Sequence, residues 1–352
     1  MSLVRLRRAL AATGLAAAVA GTALVPSSAA APTATPLAKS LLSPLSVAVS
    51  SHDDIYFTEN FAGKLYVKQP GKAPRLIYKA AGEVGGVSVE GHTVYFIANS
   101  KVMRKVGGNP ARVIADLGAY EKSRNPDKAI TYGAVGLSEE CKAAWPTGPE
   151  VPPAEYKGIV ESHPYATAVK DGTVYVADAA ANAVFRIRSG RISTVTVLPP
   201  VPVTITAQLA EGAGIPECAI GKKYLFEGVP TDVEYRNGLL YVSSLPGGPE
   251  DGTAPGSVWR VNPATHTRKR LLTGLVSATG VAVTRDGTLY VSELFAGKVT
   301  RVTPTGRRST FLRTALPSAV EVRGSHLFVT ENVLSGLAPG EAPAGKVVRY
   351  NR

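Results

Sequence analysis

Pro164-Tyr165-Ala166-Thr167-Ala168-Val169-Lys170-Asp171-Gly172-Thr173-Val174-Tyr175-Val176-Ala177-Asp178 decides the fold. Small and apolar side chains alternate up to Val169, as a half-buried strand requires. Asp171-Gly172 tolerates the positive φ of a tight hairpin turn, and Val174-Tyr175-Val176 starts the return strand. The pattern recurs at 44–49 with Ile55-Tyr56-Phe57, at 85–89 with Val94-Tyr95-Phe96, and at 230–233 with Leu240-Tyr241-Val242. It appears again at 279–283 with Leu289-Tyr290-Val291 and at 317–322 with Leu327-Phe328-Val329. Third strands such as Lys64-Leu65-Tyr66-Val67 and fourth strands such as Arg75-Leu76-Ile77-Tyr78 follow. Four antiparallel strands in about 40 residues is a propeller blade, so the expected fold is all-β, a six-bladed β-propeller. A β-sandwich with fortuitous repeats is the alternative. The last repeat stops at its third strand, Lys346-Val347-Val348-Arg349-Tyr350. Ala38-Lys39-Ser40-Leu41-Leu42-Ser43 is a spare strand that would complete this blade and remove its exposed edge.

Composition agrees with a turn-rich globular domain. The chain has 352 residues, 45% of them hydrophobic and 19% charged, with 35 Gly and 26 Pro. It is therefore neither a disordered tail nor, after residue 30, a helical membrane protein. Two Met and two Trp argue against a Met-rich binding surface.

Residues 1–30 read as a signal peptide. Arg5, Arg7 and Arg8 precede an uncharged apolar run, and Ser28 and Ala30 are the small residues of a cleavage site. An uncleaved anchor and a twin-arginine signal through Arg7-Arg8 are alternatives. Loss of the three arginines lowers the formal charge from +12 to +9. Residues 31–36 read as a flexible lead-in and 37–352 as one propeller domain. The expected location is secreted, extracellular or in the cell envelope. Export permits a disulfide between the two cysteines, Cys141 and Cys218.

The blades resemble NHL-type repeats. The likeness narrows at Glu161-Ser162-His163-Pro164-Tyr165-Ala166, Val174–Ala179, Val197–Thr206, Phe226–Glu234 and Ser243–Gly252. These stretches resemble the ScyD/ScyE family of secreted bacterial propellers. The resemblance implies an exported six-bladed propeller and carries no catalytic residue across.

The extra sequence falls on one face. Residues 115–160 and 199–228 are links between blades, and 244–256 and 333–344 are enlarged turns between second and third strands. In a propeller all four open on the same side, where functional loops gather. Cys141 and Cys218 lie in the two links that flank the third blade, so a bond between them would tie both into one lid. Second strands end on this face at Glu59, Asp178, Glu293 and Glu331, with Asn60 and Asn332 beside two of them. Asp232 and His163, the latter followed by Pro164 and Tyr165, begin first strands there. Such oxygens could converge on a calcium or zinc ion. The structural reading is that each acid accepts turn amides. His163 is the one histidine on this face and the best acid–base candidate by position. His52, His92, His266 and His326 belong to the other.

Two functions follow. The first is a monomeric binding module that takes a small molecule, glycan or envelope component on its elaborated face. The alternative is a metal-assisted lactonase-like hydrolase resembling gluconolactonase-type propellers. No G-x-S-x-G, H-E-x-x-H or phosphate loop is present, and an exported chain is not expected to meet nucleic acid.

Overall fold

The computed structural model describes residues 32–148 and 151–352. The signal peptide and its cleavage point after Ala30 lie outside the described residues. The described residues are all-β, with their strands in seven four-stranded antiparallel sheets.

Six sheets are built from the repeats. The first holds Val47–Val49, Ile55–Glu59, Lys64–Lys68 and Arg75–Lys79. The second holds Val84–Glu90, Thr93–Ala98, Lys101–Val106 and Arg112–Asp116. The third holds Pro164–Lys170, Thr173–Asp178, Ala183–Arg188 and Arg191–Val197. Gly228–Arg236, Leu239–Pro246, Gly256–Val261 and Arg268–Leu275 form the fourth. Ala278–Val283, Leu289–Glu293, Lys298–Val302 and Arg308–Arg313 form the fifth. In the sixth, Val320–Arg323, His326–Glu331 and Gly345–Asn351 are joined by Ala34–Leu41 from the other end of the chain. The hairpin turns are the ones their residues demand. Asp171 and Gly172 both sit at positive φ, 48° and 68°, where other side chains would be strained.

The sixth sheet joins the two ends of the chain. Ala34 pairs with Tyr350 and Leu41 with Gly345. The closing strand expected at 38–43 therefore begins earlier, and residues 34–36 of the expected lead-in are strand. Ala38 and Leu41 are buried among Phe57, Phe328 and Val347, so the closure is a packing contact as well as a hydrogen-bonded one.

First strands pack on one another in cyclic order: 47–49 on 84–90, then 164–170, 228–236, 278–283, 320–323, and back to 47–49. Side-chain oxygens bridge them. Val87 N–H donates to Ser46 Oγ at 2.8 Å, and Thr231 Oγ1–H donates to the Ala278 carbonyl at 2.8 Å. Ser88 and Thr167 share a hydroxyl hydrogen bond at 2.9 Å. Apolar residues on the sheet faces fill the layers between neighbours, as Val233, Leu240 and Val242 do against Ala177 and Val184.

The seventh sheet departs from the sequence expectation. Its order is Glu155–Lys157, Thr131–Val135, Lys223–Phe226 and Val201–Thr204. Both inter-blade insertions, read from sequence as loops, contribute two strands each. Gly133 sits at φ 87°, and a Cβ there would lie 2.2 Å from the Ala154 carbonyl oxygen, so glycine is required for this pairing. Three helices complete the insertions: Leu117–Arg124, Glu139–Ala143 and Ala207–Ala213. Asp116, Ser138 and Thr206 cap them, each accepting a backbone N–H of the first turn. Among the described residues no helix is long and apolar enough to cross a membrane.

Candidate functional site

Three of the acids at the ends of the second strands repeat one local arrangement. Glu59 accepts the Leu42 N–H at 2.9 Å, Asp178 the His163 N–H at 2.8 Å, and Glu293 the Val276 N–H at 2.9 Å. Each donor lies in the link that leads into the first strand of the same sheet. Lys64 and Lys298 pair with Glu59 and Glu293 at 3.2 and 3.3 Å. Tyr66 donates to Glu59, Ser162 to Asp178, and the Tyr350 hydroxyl to Glu331. Asn60 and Asn332 take turn positions, Asn60 N–H donating to the Ser43 carbonyl and Asn332 N–H to the Ala315 carbonyl. None of these six residues lines the central channel or its mouth. Among the described residues no group of three or more His, Cys, Asp or Glu side chains is spaced to hold a metal ion. Glu59, Asp178 and Glu293 therefore fasten the links, while Glu331 is bonded to the third strand of its own sheet.

Asp232 lies elsewhere. A bulge between Pro230 and Asp232 takes up one residue, and both Thr231 and Asp232 line the channel. Its carboxylate accepts Val233 N–H and, from the next sheet, Val281 N–H, each at 2.8 Å. Burial pushes its pKa up to about 7 against the pull of these two donors. Glu234 and Glu321, which the sequence reading did not single out, line the same channel. Burial raises both, Glu321 to about 7 and Glu234 well above the carboxylate range, and they hydrogen-bond to each other. Their only sequence signal is a carboxylate in the interior of a first strand. The channel encloses about 180 Å³.

The mouth is apolar. Leu45, Tyr165, Val229, Leu245, Leu294 and Leu334 close over a void of about 50 Å³, with Glu250 at its rim. The insertion 333–344 supplies Val333 and Leu334 to this plug. His163 stands beside it, its ring 5.2 Å from that of Tyr165, with Nε2 2.9 Å from Glu83 Oε2.

The other three insertions come together. Cys141 and Cys218 are joined with a Cα–Cα separation of 5.8 Å, as their positions in the two links predict. Around this bond Leu137, Trp145, Ile205, Ala210, Tyr224 and Phe226 form one apolar cluster, which Ala254 from the enlarged turn of the fourth sheet enters. Trp145 stacks on Tyr224 with ring centroids 6.4 Å apart and donates its indole N–H to the Pro152 carbonyl at 3.2 Å. The cluster floors a groove of about 720 Å³. Trp145, Leu209, Ile215, Tyr224 and Phe226 wall it, and Gln208, Asp251 and Thr253 supply hydrogen-bonding groups. The volume and the mostly apolar lining are those of a small-molecule site.

No protein-family model matches the chain, and no curated protein is similar to it in sequence. Solved structures are. A gluconolactonase of Xanthomonas campestris superposes with a TM-score of 0.55 at 11% identity, covering 90% of this chain and 89% of that one. A luciferin-regenerating enzyme gives 0.55 at 8% identity over 91% and 95% of the two chains. Virginiamycin B lyase of Staphylococcus aureus gives 0.50 at 14% identity over 91% and 98%. At these identities the likeness is one of fold, and it identifies the architecture as propeller-like.

Proposed function

We propose that the protein is an exported six-bladed β-propeller of the ScyD/ScyE kind that binds a small, largely apolar molecule in the groove of its disulfide-tied lid. In this reading the six repeat-built sheets are the blades, and the seventh sheet is the lid raised on one face. The groove is the observation that carries it: about 720 Å³, walled by Trp145, Leu209, Tyr224 and Phe226, with polar groups at its edge. Nothing in the fold of the blades requires so large an apolar recess. The disulfide suits an oxidising compartment, which supports export. The lactonase-type alternative asks for acids converging at the channel mouth. Glu59, Asp178 and Glu293 are instead bonded into links, Glu331 is bonded to Tyr350 of its own sheet, and the mouth is largely apolar, so binding is the preferred reading.

Titration with 1-anilinonaphthalene-8-sulfonate tests it. One saturable site per chain is expected, with quenching of Trp145 emission as the probe fills the groove. Leu209→Arg should abolish binding without lowering the melting temperature, because Leu209 lines the groove on a helix outside the blades. Unchanged binding by that variant would refute the groove.

A further inference from the structure

The link from the second sheet to the third contains a second polar centre, away from both the channel and the groove. Glu121, near the end of the helix Leu117–Arg124, is 1% exposed, and neither carboxylate oxygen has a hydrogen-bond partner. Asp127 is fully buried, with Oδ1 unpartnered. Asn182, in the turn after Asp178, is also fully buried. Its Nδ2 donates to Asp127 Oδ2 at 3.0 Å, while its Oδ1 has no donor. Asn125, the left-handed cap of the helix, holds the Gly158 carbonyl through Nδ2 at 2.9 Å and likewise has an unpartnered Oδ1. Gly158 is pressed against Asp127, where a Cβ would lie 2.0 Å from Oδ1.

Five acceptor oxygens without donors thus belong to four residues of one small region. Asp127 Oδ2 also accepts the Tyr132 hydroxyl at 3.1 Å, so the unmet acceptors lie on the remaining oxygens. Asp178, itself satisfied by Ser162, His163 and Ala181, adds a further buried negative charge. Burial pushes the Glu121 carboxyl up to about 8, and the charges of Asp178 and Asp127 add to it. Among the described residues no ion pair involves Glu121, Asp127 or Asp178. The helix also ends here, so its negative dipole end favours a cation. Buried carboxylates persist when they are paired or coordinate a metal.

We propose that Glu121, Asn125, Asp127 and Asn182 bind a calcium-class cation that fastens the lid link to the third sheet. Two carboxylates and two amide oxygens form a hard, all-oxygen donor set, the kind that selects calcium over zinc. Its absence from an acid-only motif explains why spacing alone does not reveal it. The ion would clamp the helix end, the turn at Asn125–Asp127 and the tight turn at Asn182, which no backbone ladder joins.

The test uses the full mature chain, stripped with a chelator and dialysed. Calcium should raise the melting temperature in proportion to the logarithm of its concentration, and metal analysis should find one ion per chain. Glu121→Gln and Asn182→Ala should each weaken calcium binding by at least about tenfold, as loss of an oxygen ligand or its support does. Glu59→Gln, outside the region, should leave the affinity unchanged. If the wild type binds no calcium by calorimetry and its melting temperature ignores the ion, the proposal is wrong and Glu121 is a buried neutral acid. Calcium binding that survives both substitutions would place the ion elsewhere and also overturn it. Neither result bears on the groove, whose probe binding is read separately.

Discussion

Glu234, on the first strand of the fourth sheet, and Glu321, on the first strand of the sixth, hydrogen-bond to each other in the channel. Asp232 adds a charge to both, and Arg236 and Arg323 offset part of it. All three carboxyl groups have pKa values raised above those of an unfolded chain, near 7 for Asp232 and Glu321. The folded state therefore binds more protons than the unfolded one. The resulting stability is complete below about pH 4 and is lost as pH rises through about 7. Melting temperature relative to a Glu234→Gln, Glu321→Gln double variant should fall between pH 5 and pH 8. A wild-type profile parallel to that of the variant would exclude the shared proton.

The Cys141–Cys218 bond closes a loop of 77 residues that contains the whole third sheet. In the chain-entropy model such a loop is worth roughly 4 kcal/mol, less any native strain. Both cysteines sit within the lid, so the loss should be felt there first. Cys141→Ser with Cys218→Ser is expected to speed amide exchange in 131–135 and 223–226 while the first strands stay protected. Uniformly faster exchange across all seven sheets would mean that lid and ring unfold together.

The repeats were legible because each carries its own period-2 pattern, its turn and an aromatic anchor. The closing strand was legible because one strand was missing at the far end. Its start at Ala34 was not, because Ala34, Thr35 and Pro36 have no apolar alternation and pair only with 348–350. The seventh sheet escaped for a related reason. Its strands have three to five residues each, and Gly133 or Pro202 breaks the strand pattern in two of them. Pairing across the two insertions, Gly133 with Leu225, leaves no local trace. Among the site residues, the positions of the acids after the second strands were readable but their partners were not. Glu59 and Asp232 look alike as single carboxylates, yet one ends a second strand and holds a link while the other lies on a first strand and lines the channel. The cysteine pairing was readable because topology, and not spacing, brings the two links together.

Removal of residues 31–41 should cost the sixth sheet its outer strand and expose Phe57, Phe328 and Val347. Ala38 and Leu41 alone bury two apolar side chains, and leaving the edge of Gly345–Asn351 unpaired invites association. The truncated chain is expected to melt at least several degrees lower and to self-associate on gel filtration. A monomeric truncation with unchanged melting temperature would show that the closing strand is dispensable.

Glu59 is the joint between this strand and the first sheet. It accepts the N–H of Leu42, the residue that follows the closing strand, and also meets Lys64 and Tyr66. Glu59→Ala leaves a part-buried backbone N–H without its acceptor, which costs about 1 kcal/mol. Glu59→Gln keeps an amide oxygen for Leu42 and gives up only the charged contact with Lys64, which is partly exposed and worth about 1 kcal/mol or less. The Ala variant should therefore be clearly less stable than the Gln variant, and Glu293→Ala and Glu293→Gln should repeat the order through Val276. Denaturant midpoints measure it, with and without added calcium. Equal midpoints for Ala and Gln would remove the anchoring role. A calcium-dependent loss confined to Glu59 and Glu293 would return these acids to the ligand role that their positions first suggested.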